Sequence, residues 1–443
     1  MTTTKRAASQ PRTQSRREAG YLRSLGPGLI TGASDDDPSG VATYAQAGAK
    51  FQYGLLWTAL LTLPLMSAVQ EICDRTALAT GKSLGALADE RFKRWRVGLG
   101  LLIGLLIVAN VLNVAADVAA VGEGMNLLHA GPAALWAPVA GVAITGLVVA
   151  GTFDQITQVF KFLCLVLLTY VAVLFAASPS WSQVVLHTVV PQIEFSTDYM
   201  LLFVAVLGTT ISPYLFFWQT ANRVEDLRKE PEGGTRAVSL RMRSDERADR
   251  KLRMCRADDF TGMAFSNIVM FAIIVATGAT LGANGGTDIT SAAQAAQALK
   301  PVAGGASEYL FALGFIGSGM LAIPVLAGSG ASALAALVHK DWGYSRKLQD
   351  APFFYVLVAG GTLGGTLLTL VGVSPVRLLV FSALINGLLA APFLVLVMLI
   401  SQDRTIMGAK YRNGRAAQVL GWGTAGLMGI AALLYLALNY LSW

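Results

Sequence analysis

Long apolar stretches alternate with short polar segments along almost the whole chain. Windows of about 20 apolar residues, the length needed to cross a bilayer as a helix, recur about eleven times. The predicted spans cover residues 26–49, 53–73, 97–126, 132–151, 156–177, 197–222, 259–283, 304–337, 352–372, 376–400 and 419–441. This pattern predicts an all-α polytopic membrane protein.

The first predicted span contains a polar interruption, Asp35-Asp36-Asp37-Pro38-Ser39-Gly40. An aspartate in the middle of a membrane costs roughly 2.5–3.5 kcal/mol, so such residues usually face a cavity. Pro38 has no amide hydrogen and disfavours the preceding helical turn, so we expect the helix to break there. The freed backbone groups need a partner other than lipid, and a cation between two half-helices is one. The alternative is that the acids cap a helix at the membrane surface.

A second interruption, Thr209-Thr210-Ile211-Ser212-Pro213-Tyr214, lies in the sixth predicted span. Each interrupted span is the first of a group of five predicted spans, which cover residues 26–177 and 197–400. A last predicted segment covers residues 419–443. Broken spans at matching positions of two halves are typical of inverted-repeat transporters with a binding site in the middle of the membrane. We expect residues 1–24 to form a disordered cytosolic tail and residues 223–257 a cytosolic loop.

The two interruptions offer oxygen ligands only. Asp37 supplies a carboxylate, Thr209 and Ser212 supply hydroxyls, and the unwound turns supply backbone carbonyls. Oxygen ligands suit hard cations such as Mg²⁺, Ca²⁺ and Mn²⁺. All three histidines fall in predicted loops, which argues against a histidine proton relay across the membrane.

Other polar residues lie inside predicted spans. Asp117 can form part of an ion or proton path, or it can simply hydrogen-bond to Asn110 or Asn113. We expect Asn267 to support the unwound segments. For Glu71 and Asp74, which end the second predicted span near Arg75, surface ion pairing is the favoured interpretation.

The distribution of charge fixes the expected orientation. The chain of 443 residues is 54% hydrophobic and only 14% charged, with a net charge of +7. All but four of its 34 lysines and arginines fall in the segments that are cytosolic when the N-terminus is cytosolic; the exceptions are Lys50, Lys161, Lys300 and Arg377. This positive-inside asymmetry explains the net charge, so no nucleic-acid partner is needed to account for it.

No cleavable signal is evident, and the three cysteines suggest neither disulfides nor a metal site.

The two interruptions resemble those of the Nramp metal transporters. The stretch Gly26–Gly40 is similar to the first span of that family, whose hallmark is Asp-Pro-Gly-Asn, and Gly208–Tyr214 is similar to the sixth, which carries Met-Pro-His. Further matches, in the family's order, are Thr80-Gly81-Lys82-Ser83-Leu84, Asp117-Val118-Ala119-Ala120-Val121-Gly122, Asn267 and Ala312-Leu313-Gly314. The resemblance covers residues 26–400.

The chain departs from the family pattern at four positions. Gly40 replaces the family's asparagine, and Ser212 replaces its metal-binding methionine. Tyr214 replaces its histidine, and Ala120 replaces a glutamate. This combination looks like the Nramp-related magnesium transporters. The resemblance implies a LeuT-type fold of two inverted five-helix repeats, with the ion held between broken spans 1 and 6. Carried over by position, the implied metal site is Asp37, Gly40, Thr209 and Ser212, with five further residues near the ion path: Asp36, Ser39, Tyr214, Asp117 and Asn267.

We therefore expect a secondary transporter of divalent metal ions and not an enzyme. The expected substrate is Mg²⁺, with Mn²⁺ tolerated and without proton coupling. We expect a monomer in the cell inner membrane or plasma membrane, with a cytosolic N-terminus, no cofactor and no nucleic-acid partner. The alternatives are a proton-coupled Mn²⁺/Fe²⁺ transporter, an amino-acid transporter on the same fold and an intramembrane hydrolase.

Overall fold

The structure, a computed structural model, is helical throughout the part of the chain that it describes, residues 27–150, 167–230, 236–284, 289, 306–371 and 374–441. The α-helices are α1 Pro27–Asp35, α2 Pro38–Phe51, α3 Trp57–Thr80, α4 Leu84–Arg91, α5 Arg96–Leu127, α6 Ala133–Ala150, α7 Leu168–Ala176, α8 Trp181–Val189, α9 Thr197–Thr210, α10 Pro213–Lys229, α11 Asp245–Thr280, α12 Ala306–Leu337, α13 Pro352–Leu368, α14 Pro375–Gln402, α15 Arg404–Met407 and α16 Arg415–Leu441.

Seven helical stretches in the described ranges are long and apolar enough to cross a membrane, with α9 and α10 taken together as one. The predicted spans correspond to these stretches and to the helices α1–α2, α3, α7 and α13. The expected tail 1–24 lies outside the described residues, as does the first half of predicted span 5, residues 156–166.

Much of the segment 223–257, expected as a loop, is helical. Helix α10 runs on to Lys229, and α11 starts at Asp245, well before the apolar residues of its span begin. With 36 residues, α11 is about 54 Å long, which exceeds the thickness of a bilayer. Charged residues four apart, such as Glu246 and Arg250, pair along this polar extension at 3.3 Å.

Glycines allow the first span to lie directly against α11. A Cβ atom at Gly32 would come within 2.1 Å of the Gly262 carbonyl oxygen, and one at Gly48 within 2.1 Å of the Thr277 hydroxyl. Such small residues let helix backbones approach closely, which is how helices associate inside a membrane. Helices α1 and α2 therefore pack along the length of one partner helix, so the gap between them lies inside the bundle.

The second broken span is held in the same way. A Cβ atom at Gly208 of α9 would lie 2.3 Å from the carbonyl oxygen of Ala383 and 2.4 Å from the amide nitrogen of Gly387, both on α14. The end of α9 is thus fixed against α14 two residues before the helix breaks. Both interruptions are placed by glycine contacts in the interior of the bundle.

Candidate metal site at the two helix breaks

The first break separates α1 from α2 at Asp36 and Asp37. Asp37 has an extended backbone and caps α2: its Oδ1 accepts hydrogen bonds from the Gly40 amide at 2.7 Å and the Ser39 hydroxyl at 2.5 Å. Pro38 occupies the first helical position, where its missing amide hydrogen costs nothing. One helix ends at Asp35 and the next begins at Pro38, which confirms the expected break. Asp37 is only 1% exposed, so the capping aspartate lies inside the protein.

The second break separates α9 from α10 at Ile211 and Ser212. The Ser212 hydroxyl does not cap α10. It instead donates back to the Gly208 carbonyl at 2.6 Å and the Thr209 carbonyl at 3.1 Å. Both lone pairs of the Ser212 oxygen remain available, because the hydroxyl acts only as a donor in these contacts.

The two breaks meet at the centre of the bundle. A Cβ atom at Gly40 would lie 2.9 Å from the Thr209 hydroxyl oxygen, so no larger residue fits between the breaks without displacing it. The Tyr214 hydroxyl donates to the Ser34 carbonyl at 3.0 Å and links the start of α10 to the end of α1. The four residues expected as metal ligands therefore form one chain of contacts, from Asp37 through Gly40 and Thr209 to Ser212.

Several oxygens around the breaks have no hydrogen-bond partner in the described part of the chain. They include the Thr209 hydroxyl oxygen, Asp35 Oδ1 and Asp36 Oδ2. No three side chains of the Asp, Glu, His and Cys types come together as a ligand group within the described ranges. A cation at the breaks would therefore rely on few carboxylates, with hydroxyls, carbonyls and water completing its shell.

Asp35 and Asp36 are anchored by a serine that the sequence did not point to. The Ser266 hydroxyl of α11 lies 2.7 Å from Asp35 Oδ2 and 3.2 Å from Asp36 Oδ1. Ser266 precedes Asn267, which was singled out in the sequence, but the serine itself carried no signal. Its role follows from the close Gly32–Gly262 contact, which places this turn of α11 beside the first break.

Asp117 of α5 faces the same region. It is fully buried, and neither of its carboxylate oxygens has a partner among the described residues. The suggested bonds to asparagines are absent there, because Asn110 donates instead to the Leu326 carbonyl at 2.9 Å and the Ser329 hydroxyl at 2.9 Å. A Cβ atom at Gly319 would contact both the Asp117 carbonyl, at 3.1 Å, and the Pro38 ring, at 3.5 Å. One glycine thus separates this turn of α5 from the first break.

Asn267 takes a different position from the one expected. Its amide donates to the Ala59 carbonyl at 2.9 Å and to the Thr62 hydroxyl at 3.1 Å. These bonds connect α11 to α3 and not to the unwound segments. In the described structure, Asn267 is a link between two spans.

A buried ion cluster closes one side of the breaks. Arg223 of α10 is bonded to Asp74 through Nε, at 2.9 and 2.8 Å, and lies 3.3 Å from Asp258. Asp258 also accepts the amide of Gly28 at 2.9 Å and so caps the start of α1. The expected ion pairing near Arg75 is present for Glu71, which lies 3.1 Å from Arg75, but the expectation is wrong for Asp74. Asp74 is buried and binds an arginine 149 positions away, which no local pattern reveals.

A cavity of about 340 Å³ lies on the other side of the breaks, between α2, α9, α14 and α16. Its polar lining includes Gln46, Arg377 and an ion pair between Lys50 and Asp198 at 2.7 Å. The arrangement is asymmetric, because ionic contacts close the α1–α10 side while space remains on the α2–α9 side.

Two half-helix pairs that meet at a buried carboxylate, inside an all-helical bundle with long apolar helices, are the architecture of the LeuT-type fold. Solved structures agree: the fold is similar to a manganese transporter of Eremococcus coleocola, with a TM-score of 0.75 and 17% identity over 94% of this chain and 86% of that one. It is also similar to Mhp1, a nucleobase-cation-symport-1 family transporter, with a TM-score of 0.56 and 16% identity over 94% and 91% of the two chains. The predicted fold is confirmed.

The chain belongs to the Nramp family. The family model described as natural resistance-associated macrophage protein-like matches residues 28–438. Among similar curated proteins is the divalent metal cation transporter MntH of Acidiphilium cryptum, 26% identical over 430 residues, which are 93% of this chain and 89% of that protein. Another is the divalent metal cation transporter MntH 1 of Pseudomonas aeruginosa, 26% identical over 441 residues, with 94% and 92% coverage.

Proposed function

We propose that this protein carries divalent metal ions across a membrane, with the ion held between the two helix breaks. The observation that carries this proposal is the meeting of both breaks at Asp37, a buried carboxylate beside a buried hydroxyl without a partner. Buried charge of this kind is costly unless it is paired or binds a cation. Relatives named as divalent metal cation transporters support the same function.

The ions to test first are Mn²⁺ and Mg²⁺. The names of the relatives and of the structural neighbour favour Mn²⁺, and so favour the proton-coupled manganese alternative over the magnesium interpretation. The ligand types favour a hard ion, since the breaks offer oxygen and neither thioether nor imidazole. Both ions accept such ligands, so magnesium remains the second candidate.

Transport begins, in this proposal, from the cavity beside Lys50 and Asp198. The ion passes between α2 and α9 to Asp37, where carbonyls freed by the breaks and the negative C-terminal ends of α1 and α9 attract it. Release on the other side requires α1 and α10 to separate, and the bonds of Arg223 and Asp258 must open for this to happen. A membrane potential assists entry by about 2.3 kcal/mol per charge per 100 mV.

Orientation and assembly are part of the proposal. The charge distribution supports a cytosolic N-terminus, which places the Arg223 cluster on the cytosolic side and the cavity outside. We propose a monomer in the cell inner membrane or plasma membrane, without cofactor or nucleic-acid partner.

Flux into proteoliposomes tests the function and separates the candidates. Purified protein is reconstituted with a metal-sensitive dye inside, and Mn²⁺ or Mg²⁺ is added outside under a negative internal potential. Uptake of either ion above that of protein-free vesicles supports divalent metal transport, and no uptake of any divalent ion refutes it. Mg²⁺ added in excess suppresses Mn²⁺ uptake if magnesium is preferred. A pH dye reports internal acidification if protons accompany the metal.

A further inference from the structure

We propose that an anionic phospholipid binds where α5 meets the end of α12, with its headgroup on exposed cations and one acyl chain in a groove between α5, α12 and α13. This site is separate from the helix breaks.

The headgroup position is defined by cations without a balancing acid. Lys93 and Arg94, in the short helix Lys93–Trp95, and Lys340 after α12 are exposed and make no ion pair in the described part of the chain. Arg96 joins the two elements, because its guanidinium donates to the Leu337 carbonyl at 3.1 Å. The surrounding acids are each engaged elsewhere: Asp89 with Arg96 at 2.7 Å, Glu90 with Lys82 at 2.6 Å and Asp341 with Arg346 at 3.5 Å. The three cations therefore present uncompensated positive charge.

The same cations lie at the end of a lipid-facing surface. Trp95 is 73% exposed, and the exposed apolar side chains Val97, Leu101, Leu105 and Val108 follow it along one side of α5. Spacings of three and four residues put these side chains on one face of a helix. An exposed tryptophan at the end of such a face marks the depth of the headgroups. Lys93 and Arg94 are therefore at the level of lipid phosphates, at the end of the bundle that we expect to face the cytosol.

The acyl-chain position is a groove of about 270 Å³ between α5, α12 and α13. Its lining is nearly all apolar and includes Ile107, Val111, Ala327, Gly330 and Gly360. Its one polar side chain, Asn110, directs its amide group to α12. Ile107 lies eleven residues beyond Arg96, about 16 Å along the helix, which is the depth that an acyl chain reaches from the interface.

A lipid fits this surface better than a second copy of the chain does. Two copies related by a two-fold axis would bring the same cations of each subunit close together, and like charges repel. An anionic lipid satisfies both the cations and the groove with one molecule. Each cation near a membrane surface contributes about 1 kcal/mol of attraction to anionic lipid, which corresponds to a factor of about five in affinity.

Native mass spectrometry of the purified full-length chain tests the headgroup contacts. Titration with phosphatidylglycerol and, separately, phosphatidylcholine should show preferential retention of phosphatidylglycerol. The triple variant Lys93→Gln, Arg94→Gln, Lys340→Gln should reduce that retention by about fivefold for each charge removed. The matched control removes three other exposed cations from the same end of the protein and leaves the Lys82–Glu90 pair intact: Arg250→Gln, Arg253→Gln and Lys347→Gln. Equal retention of both lipids by the wild type, or equal losses in both triple variants, would overturn the proposal.

Two glycine variants test the groove. A Cβ atom at Gly360 meets nothing within 4 Å, so the backbone there accepts a side chain, and Gly360→Leu adds apolar volume at the groove. Gly104→Leu is the control, because Gly104 is equally open but does not line the groove. The first variant should lower phosphatidylglycerol retention several-fold, and the second should leave it unchanged. Unchanged retention in Gly360→Leu, or an equal loss in Gly104→Leu, contradicts the assignment of the acyl chain to this groove.

Discussion

Replacing Asp37 with asparagine separates two roles of its carboxylate. In the structure, Asp37 Oδ1 accepts the Gly40 amide at 2.7 Å and caps α2, and in our proposal the same carboxylate binds the ion. Asparagine caps helices about as well as aspartate, so Asp37→Asn should keep α2 and its position. Alanine removes the cap as well, at a cost of about 1 kcal/mol. The two variants therefore differ in folding stability, while both lose the negative charge.

The expected loss of metal binding follows from the small number of acids at the site. No group of three acidic, histidine or cysteine side chains is available among the described residues to take over from Asp37. Changes in residues that only support metal ligands already lower affinity about 10–100-fold. We expect at least a hundredfold loss for a direct ligand, which is at least about 2.7 kcal/mol. Without metal, Asp37→Asn should be no less stable than the wild type, since a neutral amide is less costly to bury than a carboxylate.

Thermal unfolding and flux are then measured on the same preparations. Mn²⁺ at about 100 times the wild-type dissociation constant should stabilise the wild type by about 2.7 kcal/mol and Asp37→Asn by no more than about 0.4 kcal/mol. Flux in proteoliposomes should fall to the background of empty vesicles in both Asp37 variants. Asp245→Asn is the control, because Asp245 is exposed and its side chain only pairs with Lys410 at the surface. Wild-type flux and metal stabilisation in Asp37→Asn would refute the assignment of Asp37 as the anchoring ligand.

Three further changes test neighbouring parts of the structure. Ser212→Met adds a soft thioether at the second break and should shift competition toward Cd²⁺ by about tenfold; an unchanged metal profile in the flux assay would contradict the argument from ligand softness. Arg223→Gln leaves Asp74 buried without its cation and should lower the free energy of unfolding by about 3–5 kcal/mol, whereas a change below 1 kcal/mol would show that the cluster is not stabilising. Gly32→Ala should destabilise the protein by about 1–3 kcal/mol because its methyl group meets the α11 backbone, and Gly98→Ala, which meets nothing within 4 Å, should not; equal melting temperatures would argue against the close packing of α1 on α11.

Local chemistry was enough to predict where the spans break. A proline preceded by a small polar or acidic residue favours the start of a new helix, with that residue as its cap and the proline in its first turn, so Asp37-Pro38 and Ser212-Pro213 could be recognised directly. The ion cluster around Arg223 could not be predicted in this way. Asp74 and Arg223 are 149 positions apart, and the neighbouring Arg75 offered a simpler partner. Arg75 in fact binds Glu71 at 3.1 Å, one helical turn away, which leaves Asp74 free to face α10.

The link between the breaks depends on contacts that have no signature in either segment alone. Tyr214 reaches a carbonyl 180 positions earlier, and Ser266 reaches two acids about 230 positions earlier. These contacts exist because glycines fix α1 against α11 and α9 against α14, so the register of two helix pairs decides which polar groups meet. Moving α1 along α11 by one turn, about 5.4 Å, would break the Asp35–Ser266 bond and carry the first break away from the second. A bound ion at Asp37 would therefore be sensitive to the sliding of α1, which makes the glycine contact between α1 and α11 as necessary to the proposed site as its ligands.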